Sequence, residues 1–223
     1  MCGRYTLTRL AEDVGRIVQA SINSNLKPRY NIAPTQPVAT ILQPKSGKER
    51  ELRILHWGLI PSWAKDESMS ARMINARAET VAEKPSFRSA FKRRRCLVVA
   101  DGFYEWQTQG KKKQPFYFKL KNGEIFGFAG LWEHWEKDGN VVESCTIITT
   151  NANDLMQPIH DRMPVILHPK DYDLWLDPDQ EKVDVLQGLL QPYSQEEMTA
   201  YPVSTIVNKP ANDSPECVEP VAV

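Results

Sequence analysis

A chain of 223 residues, 41% hydrophobic and 25% charged, suits one globular domain with a sizeable core. Its 28 basic and 28 acidic residues cancel, and it has neither an apolar run able to span a bilayer nor a secretory leader stretch, so a cytoplasmic protein is expected. Cys2, Cys96, Cys145 and Cys217 stand far apart without Cys-x-x-Cys or Cys/His ligand spacing, which suggests neither a disulfide framework nor a zinc site.

The chain opens Met-Cys-Gly-Arg-Tyr. A cysteine at position 2 is small enough for the initiator methionine to be trimmed, which would leave an α-amine beside a thiol on one residue. With ordinary pKa values of about 7.7–8.0 and about 8.5, both groups hold a nucleophilic fraction at cellular pH. The alternative is that Cys2 is simply a small buried hydrophobe.

Leu10, Val14, Ile17 and Val18 repeat at helical spacing behind Thr8 as N-cap, which predicts an amphipathic helix over residues 9–20. Strands then dominate. The runs PVATILQ, LRILHW, CLVVADG, PFYFKL, EIFGFAG, SCTIITT, PVIL and PVSTIV are β-branched or aromatic and bounded by Gly, Pro, Asn or Asp. Asn122-Gly123 between PFYFKL and EIFGFAG predicts a hairpin with a primed turn. Short helices are expected over 169–176 and 181–190, and the acidic, Pro-containing stretch from about 208 onward reads as a loose tail. Strands that do not alternate regularly with helices predict an α+β fold: a single domain over 1–223, with a curled, barrel-like antiparallel β core and a few short helices.

Charge is unevenly spread. From Lys84 to Lys119 the formal balance is +8, and from Asp171 to Val223 it is −9. The clusters KRRR (92–95) and KKK (111–113) read either as a solvated helix end and turn or as a face for a polyanionic partner.

Four segments gather residues of catalytic type: Cys2-Gly3-Arg4, the stretch from Asn75 through Arg77 to Glu79, Asp101 to Trp106, and Pro158 to Pro164. Asn75 could cap a turn, and Glu79 with Arg77 could be an ordinary surface pair. Glu105, between Tyr104 and Trp106 after an apolar run, is costly to bury without a partner. His160 lies in a loop between prolines. With a terminal thiol these make the inventory of a small active site.

The stretches MCGRY, RYNIAPTQ (29–36), WGLIPSWAKD (57–66), INARAET (74–80), ADGFYEW (100–106), KQPFYF (113–118), TTNAN (149–153) and IHDRMPVIL (159–167) resemble the SRAP family, named for SOS response-associated peptidases. Members of that family sense abasic sites in single-stranded DNA and become covalently linked to them. The resemblance spans nearly the whole chain and places the family's functional residues on Cys2, Asn75, Glu105 and His160. It implies a single α+β domain with a positively charged groove and abasic single-stranded DNA as partner. A monomer is expected, associated with the nucleoid when bound to DNA, with no metal and no cofactor.

The chemistry implied is capture of the open-chain sugar aldehyde by the Cys2 amine as an imine, followed by closure of a thiazolidine ring by the thiol of the same residue. Glu105 would accept a proton from the ammonium, His160 would assist sugar-ring opening, and Asn75 would donate a hydrogen bond to the sugar oxygen. Arg4, Arg77 and Arg162 are assigned to flanking phosphates. Trp63 and Trp106 are read either as base-stacking platforms or as core aromatics. Three rivals stand beside this reading. One is an amidohydrolase with an N-terminal nucleophile, since such domains also begin Met-Cys-Gly and Asn122-Gly123-Glu124-Ile125 looks like their oxyanion-hole stretch. The others are a peptidase using Cys2, Glu105 and His160, and a non-catalytic single-strand binding module.

Overall fold

A computed structural model describes residues 2–9, 13–15, 20–21, 26–44 and 49–222. Its strands are β1 (Tyr5–Leu7), β2 (Ala20–Ser21), β3 (Arg29–Ile32), β4 (Pro37–Leu42), β5 (Arg50–Trp57), β6 (Asn75–Arg77), β7 (Arg95–Ala100), β8 (Gly102–Gln109), β9 (Lys112–Leu120), β10 (Phe126–Lys137), β11 (Asn140–Asn151), β12 (Arg162–Pro164), β13 (Ile166–Leu167) and β14 (Met198–Pro202). The short helices are α1 (Arg88–Arg93), α2 (Tyr172–Leu176) and α3 (Val183–Gly188).

Strands β11, β10, β7, β4 and β5 neighbour one another in that order, and a parallel pairing of β5 with β11 (His56 with Ser144, Cys145 with Trp57) closes them into a barrel. A second sheet runs β14-β9-β8-β1-β3. The two are joined by aromatic packing: Tyr5 meets Trp57 and Phe128 edge-on at 5.3 and 5.8 Å, and Phe103 stacks on Phe118 at 5.1 Å. β7 shows no polar alternation because it is buried along its whole length, as a strand covered on both faces must be. The α+β fold with a barrel-like core agrees with expectation, as do the helices near 169–176 and 181–190.

Other expectations need correction. PFYFKL and EIFGFAG do not form a hairpin. Asn122 Oδ1 accepts from the Glu124 amide at 3.0 Å and Gly123 has φ 69°, so the turn exists, but it carries the chain from β9 in the open sheet to β10 in the barrel. The barrel hairpin lies instead at Asp138-Gly139, between Lys137 and Asn140 of β10 and β11, where both turn residues have positive φ as a primed turn requires. PVSTIV is not a strand. Ser204 Oγ accepts from the Ile206 amide and caps a 3-10 turn over Thr205–Asn208.

The segment from residue 208 is not a loose tail. Asp213 accepts from the amides of Tyr30 and Asn31 and pairs with Arg29, Cys217 is buried, and Val203 bridges Pro220. Asn31 Nδ2 donates to the carbonyls of Val207, Lys209 and Asn212. Of the helix expected over 9–20, residues 13–15 are helical, Arg9 lies in a bend and Ala20 belongs to β2; 10–12 and 16–19 lie outside the described residues.

Candidate active site

β1 pairs antiparallel with β8, Tyr5 opposite Phe103 and Thr6 opposite Gly102. The Tyr104 amide donates to the Arg4 carbonyl at 2.9 Å, so the ladder continues past the strand end and leads Cys2 toward Glu105. A buried polar knot fixes this register. Thr6 Oγ1 donates to Asp101 Oδ1 at 2.5 Å, Tyr117 Oη meets Thr6 Oγ1 at 2.9 Å, and Thr8 donates twice to Asp101 Oδ2. Position 102 must be glycine, since a Cβ there would stand 2.1 Å from Tyr117 Oη.

Cys2 is 0% exposed, and its thiol is pushed well above the ordinary value by burial and then by the Glu105 charge. Glu105, 4% exposed on β8 opposite Phe116, has its carboxyl raised by burial; the positive charge of the chain's amino terminus and His160 oppose that rise without cancelling it. His160 belongs to the turn between β11 and β12, which is capped by Asn153 Oδ1 accepting from the Met156 amide. Gln107 Nε2 donates to the Pro158 carbonyl at 3.1 Å and ties that turn to β8. The Arg162 amide donates to His160 Nδ1 at 3.0 Å, which sets the neutral ring with its proton on Nε2. Asp161 Oδ1 lies 3.0 Å from the same nitrogen, placed to receive its proton when the ring is charged.

Glu105 and His160 open onto a cleft of about 650 Å³ whose walls include Arg4, Trp106, Lys113 and Asn208. Arg4 Nη1 donates to Asn31 Oδ1 and the Val207 carbonyl, and its guanidinium lies 5.7 Å from the Trp106 ring centroid. Trp106 Nε1 donates to Asn208 Oδ1 at 2.8 Å, so this tryptophan stands half-buried in the cleft wall rather than in the core. Lys113 was visible in the sequence as part of the KKK run. Nothing in the sequence signalled Asn31 or Asn208, because their roles depend on the C-terminal segment folding back.

The remaining candidates are not among the residues that line this cleft. Asn75 on β6 donates through Nδ2 to the carbonyls of Ile74 and Ile147, while its Oδ1 is buried without a hydrogen bond. Arg77 is exposed at the end of the same strand. Glu79 does not make its hydrogen-bonded ion pair with Arg77. It pairs with Arg162, whose Nη1 and Nη2 reach the two carboxylate oxygens at 2.6 and 3.0 Å and whose fork also holds the Thr149 carbonyl. Trp63 is 58% exposed on a loop pinned by Ser62 N to Glu133, Trp135 Nε1 to the Ala64 carbonyl and Lys137 Nζ to the Lys65 carbonyl. Of the KRRR run only Arg95 is buried, donating to the carbonyls of Phe91, Trp175 and Asp177, while half-buried Arg94 pairs with Glu133 and exposed Arg93 with Glu181. Among the described residues no group of His, Cys, Asp and Glu is placed to hold a metal ion.

The family model described as SOS response associated peptidase (SRAP) matches residues 1–210. The chain belongs to the SRAP family. This SRAP chain is 49% identical to the abasic site processing protein YoqW of Bacillus subtilis over 98% of its length and 99% of that protein's. It is 33% identical to the abasic site processing protein HMCES of Xenopus tropicalis, over 98% of this chain and 78% of that one. A crystal structure of a protein from Bacteroides thetaiotaomicron, 30% identical, superposes with a TM-score of 0.88 over 99% of this chain and all of the other. The stretches MCGRY, ADGFYEW, KQPFYF and IHDRMPVIL each contribute residues to the wall of the cleft.

Proposed function

We propose that this protein processes abasic sites in single-stranded DNA by linking itself to them through Cys2. The observation that carries the reading is the seating of Cys2 beside the buried Glu105 carboxyl, which interacts in turn with His160 and lines the same cleft as that histidine. Once Met1 is removed, the Cys2 amine adds to the sugar aldehyde and expels one water as the imine forms. The thiol then adds across the C=N bond, sulfur to carbon and proton to nitrogen, closing a five-membered thiazolidine. Both nucleophiles sit on one residue, so the second step gains effective concentration.

The electrostatics fit an amine-first order. A raised carboxyl at Glu105 is a stronger base than an exposed one and can take the ammonium proton. His160 presents Nε2–H as a proton donor to the sugar ring oxygen. The Asn75 amide hydrogens face main-chain carbonyls, so its open group is the acceptor Oδ1, suited to a sugar hydroxyl rather than to the ring oxygen. A thiol pushed upward by burial disfavours a cysteine peptidase, which needs a depressed thiol. The amidohydrolase reading is also disfavoured: Glu105 pairs with Phe116, and Leu120, next to the Asn122 turn, is four strand residues or roughly 13 Å farther along β9.

Arg4, Arg77 and Arg162 would hold flanking phosphates, and the free face of Trp106 and exposed Trp63 would stack on bases. The protein acts as a monomer on nucleoid DNA in the cytoplasm. The test is to mix purified protein with a single strand bearing one abasic site. A heat-stable, slower band on a denaturing gel is expected; an undamaged strand gives none, and no band with the abasic strand overturns the proposal.

A further inference from the structure

Arg162 is a cation whose anchors and whose partner come from different parts of the chain. The Thr149 carbonyl at 2.6 Å and Asn151 Oδ1 at 3.1 Å hold its fork from β11, while the outer edge faces Glu79 in a bidentate pair. The arginine side chain is 11% exposed and the glutamate 46%. Removing the carboxylate would therefore leave the guanidinium held in place with two aligned donors open. That geometry suits a phosphate as well as a carboxylate, since both accept two parallel N–H bonds. The Arg162 hydrogen bonds, and to a smaller extent exposed Arg77, favour the charged form of Glu79.

We propose that Glu79 is an internal phosphate mimic: it occupies the Arg162 fork in the DNA-free protein and is displaced by a backbone phosphate when a strand binds. The inference rests on the reading of Arg162 as a phosphate contact. It adds that binding at this position is an exchange of anions. Exchange lowers affinity for any single strand and makes occupancy of the site depend on the further attachment that an abasic aldehyde supplies at Cys2. Because the Arg162 amide also sets the His160 ring, the same exchange happens beside the reacting groups.

Glu79→Gln tests this by titration of an undamaged, fluorescently labelled single strand across a series of salt concentrations. Affinity at low salt should rise about fivefold, the worth of one exposed ion pair. The salt dependence should steepen by roughly 0.7 in log–log slope, because a released carboxylate no longer gathers a counterion. Both gains should vanish in an Arg162→Gln background. Glu79→Asp, which keeps the charge but cannot span the fork, should give a smaller gain and serves if the glutamine variant does not fold. Unchanged or weaker binding, or a gain that persists without Arg162, overturns the mimic. Loss of all single-strand binding by the unaltered protein would instead strike the DNA-binding reading itself.

Discussion

The Tyr104 amide and the Arg4 carbonyl are joined by a hydrogen bond of 2.9 Å, and this bond governs where the start of the chain lies. It extends the β1–β8 ladder beyond Tyr5 and sets Cys2 against the carboxyl of Glu105. The register depends in turn on the knot of Thr6, Asp101 and Tyr117 above Gly102. Gly102→Ala should therefore push Tyr117 aside, cost about 1–3 kcal/mol, and slow covalent capture by displacing the amino terminus. Thermal melting together with capture rates on an abasic strand would check it. A variant with the original rate would show that the ladder does not position Cys2.

Ring closure predicts a mass. Intact protein captured on an abasic strand should weigh the chain without Met1 plus the DNA minus one water. Cys2→Ser and Cys2→Ala keep the amine, so they should stop at an imine that borohydride traps and lose stable linkage without reductant. An untrimmed residue ahead of Cys2 should abolish both products. An adduct mapping to Cys96, Cys145 or Cys217, all buried, would contradict the amine–thiol mechanism.

Glu105 couples stability to pH. Burial raises its carboxyl, so the folded chain binds that proton more tightly than the unfolded chain does. Its contribution is complete below the unfolded value of about 4.3 and is lost as pH rises through the folded value. Glu105→Gln should match the parent in Tm near pH 4. At pH 8 it should melt above the parent, because it no longer carries a charge that burial disfavours. Capture should slow by about a hundredfold while binding of undamaged strands holds. A glutamine variant that melts lower at pH 8 would mean the carboxylate is paired well enough to stabilise the fold.

The arginines should separate by salt dependence. Arg77→Ala should flatten the slope for single-strand binding by about 0.7. Arg93→Ala and Arg94→Ala should leave it unchanged, because their guanidiniums are bound to Glu181 and Glu133. Arg95→Ala strips a buried cation from three main-chain carbonyls and should destabilise by about 3–5 kcal/mol. A flattened slope for Arg93→Ala or Arg94→Ala would bring α1 onto the DNA path.

What the sequence made legible follows the range of the forces involved. CLVVA and SCTIITT announce buried strands through composition alone, and Cys2, Glu105 and His160 stand out as costly residue types in unusual settings. Asn122-Gly123 correctly signals a turn, but a turn residue carries no information about which sheet receives the next strand. The segment after 208 looked loose because its anchor, Asn31, lies 182 residues from Asp213. Glu79 looked like the partner of Arg77, two positions away, until β6 and β12 were both paired with β11 and brought Arg162 to it.

Register at the amino terminus also has a consequence for the order of events during synthesis. Thr6 waits for Asp101, made 95 residues later, and at about 5–20 residues per second that takes about 5–20 s. The C-terminal clasp of Asn31 by Asp213 requires 182 residues and takes about 10–40 s. Until β8 is made the first residues can pair only with β3 on one side, and the aminopeptidase that removes Met1 acts before the β8 side of the ladder forms. On the proposed mechanism, the amine that captures the lesion is therefore freed on the ribosome, before folding sets Cys2 beside Glu105.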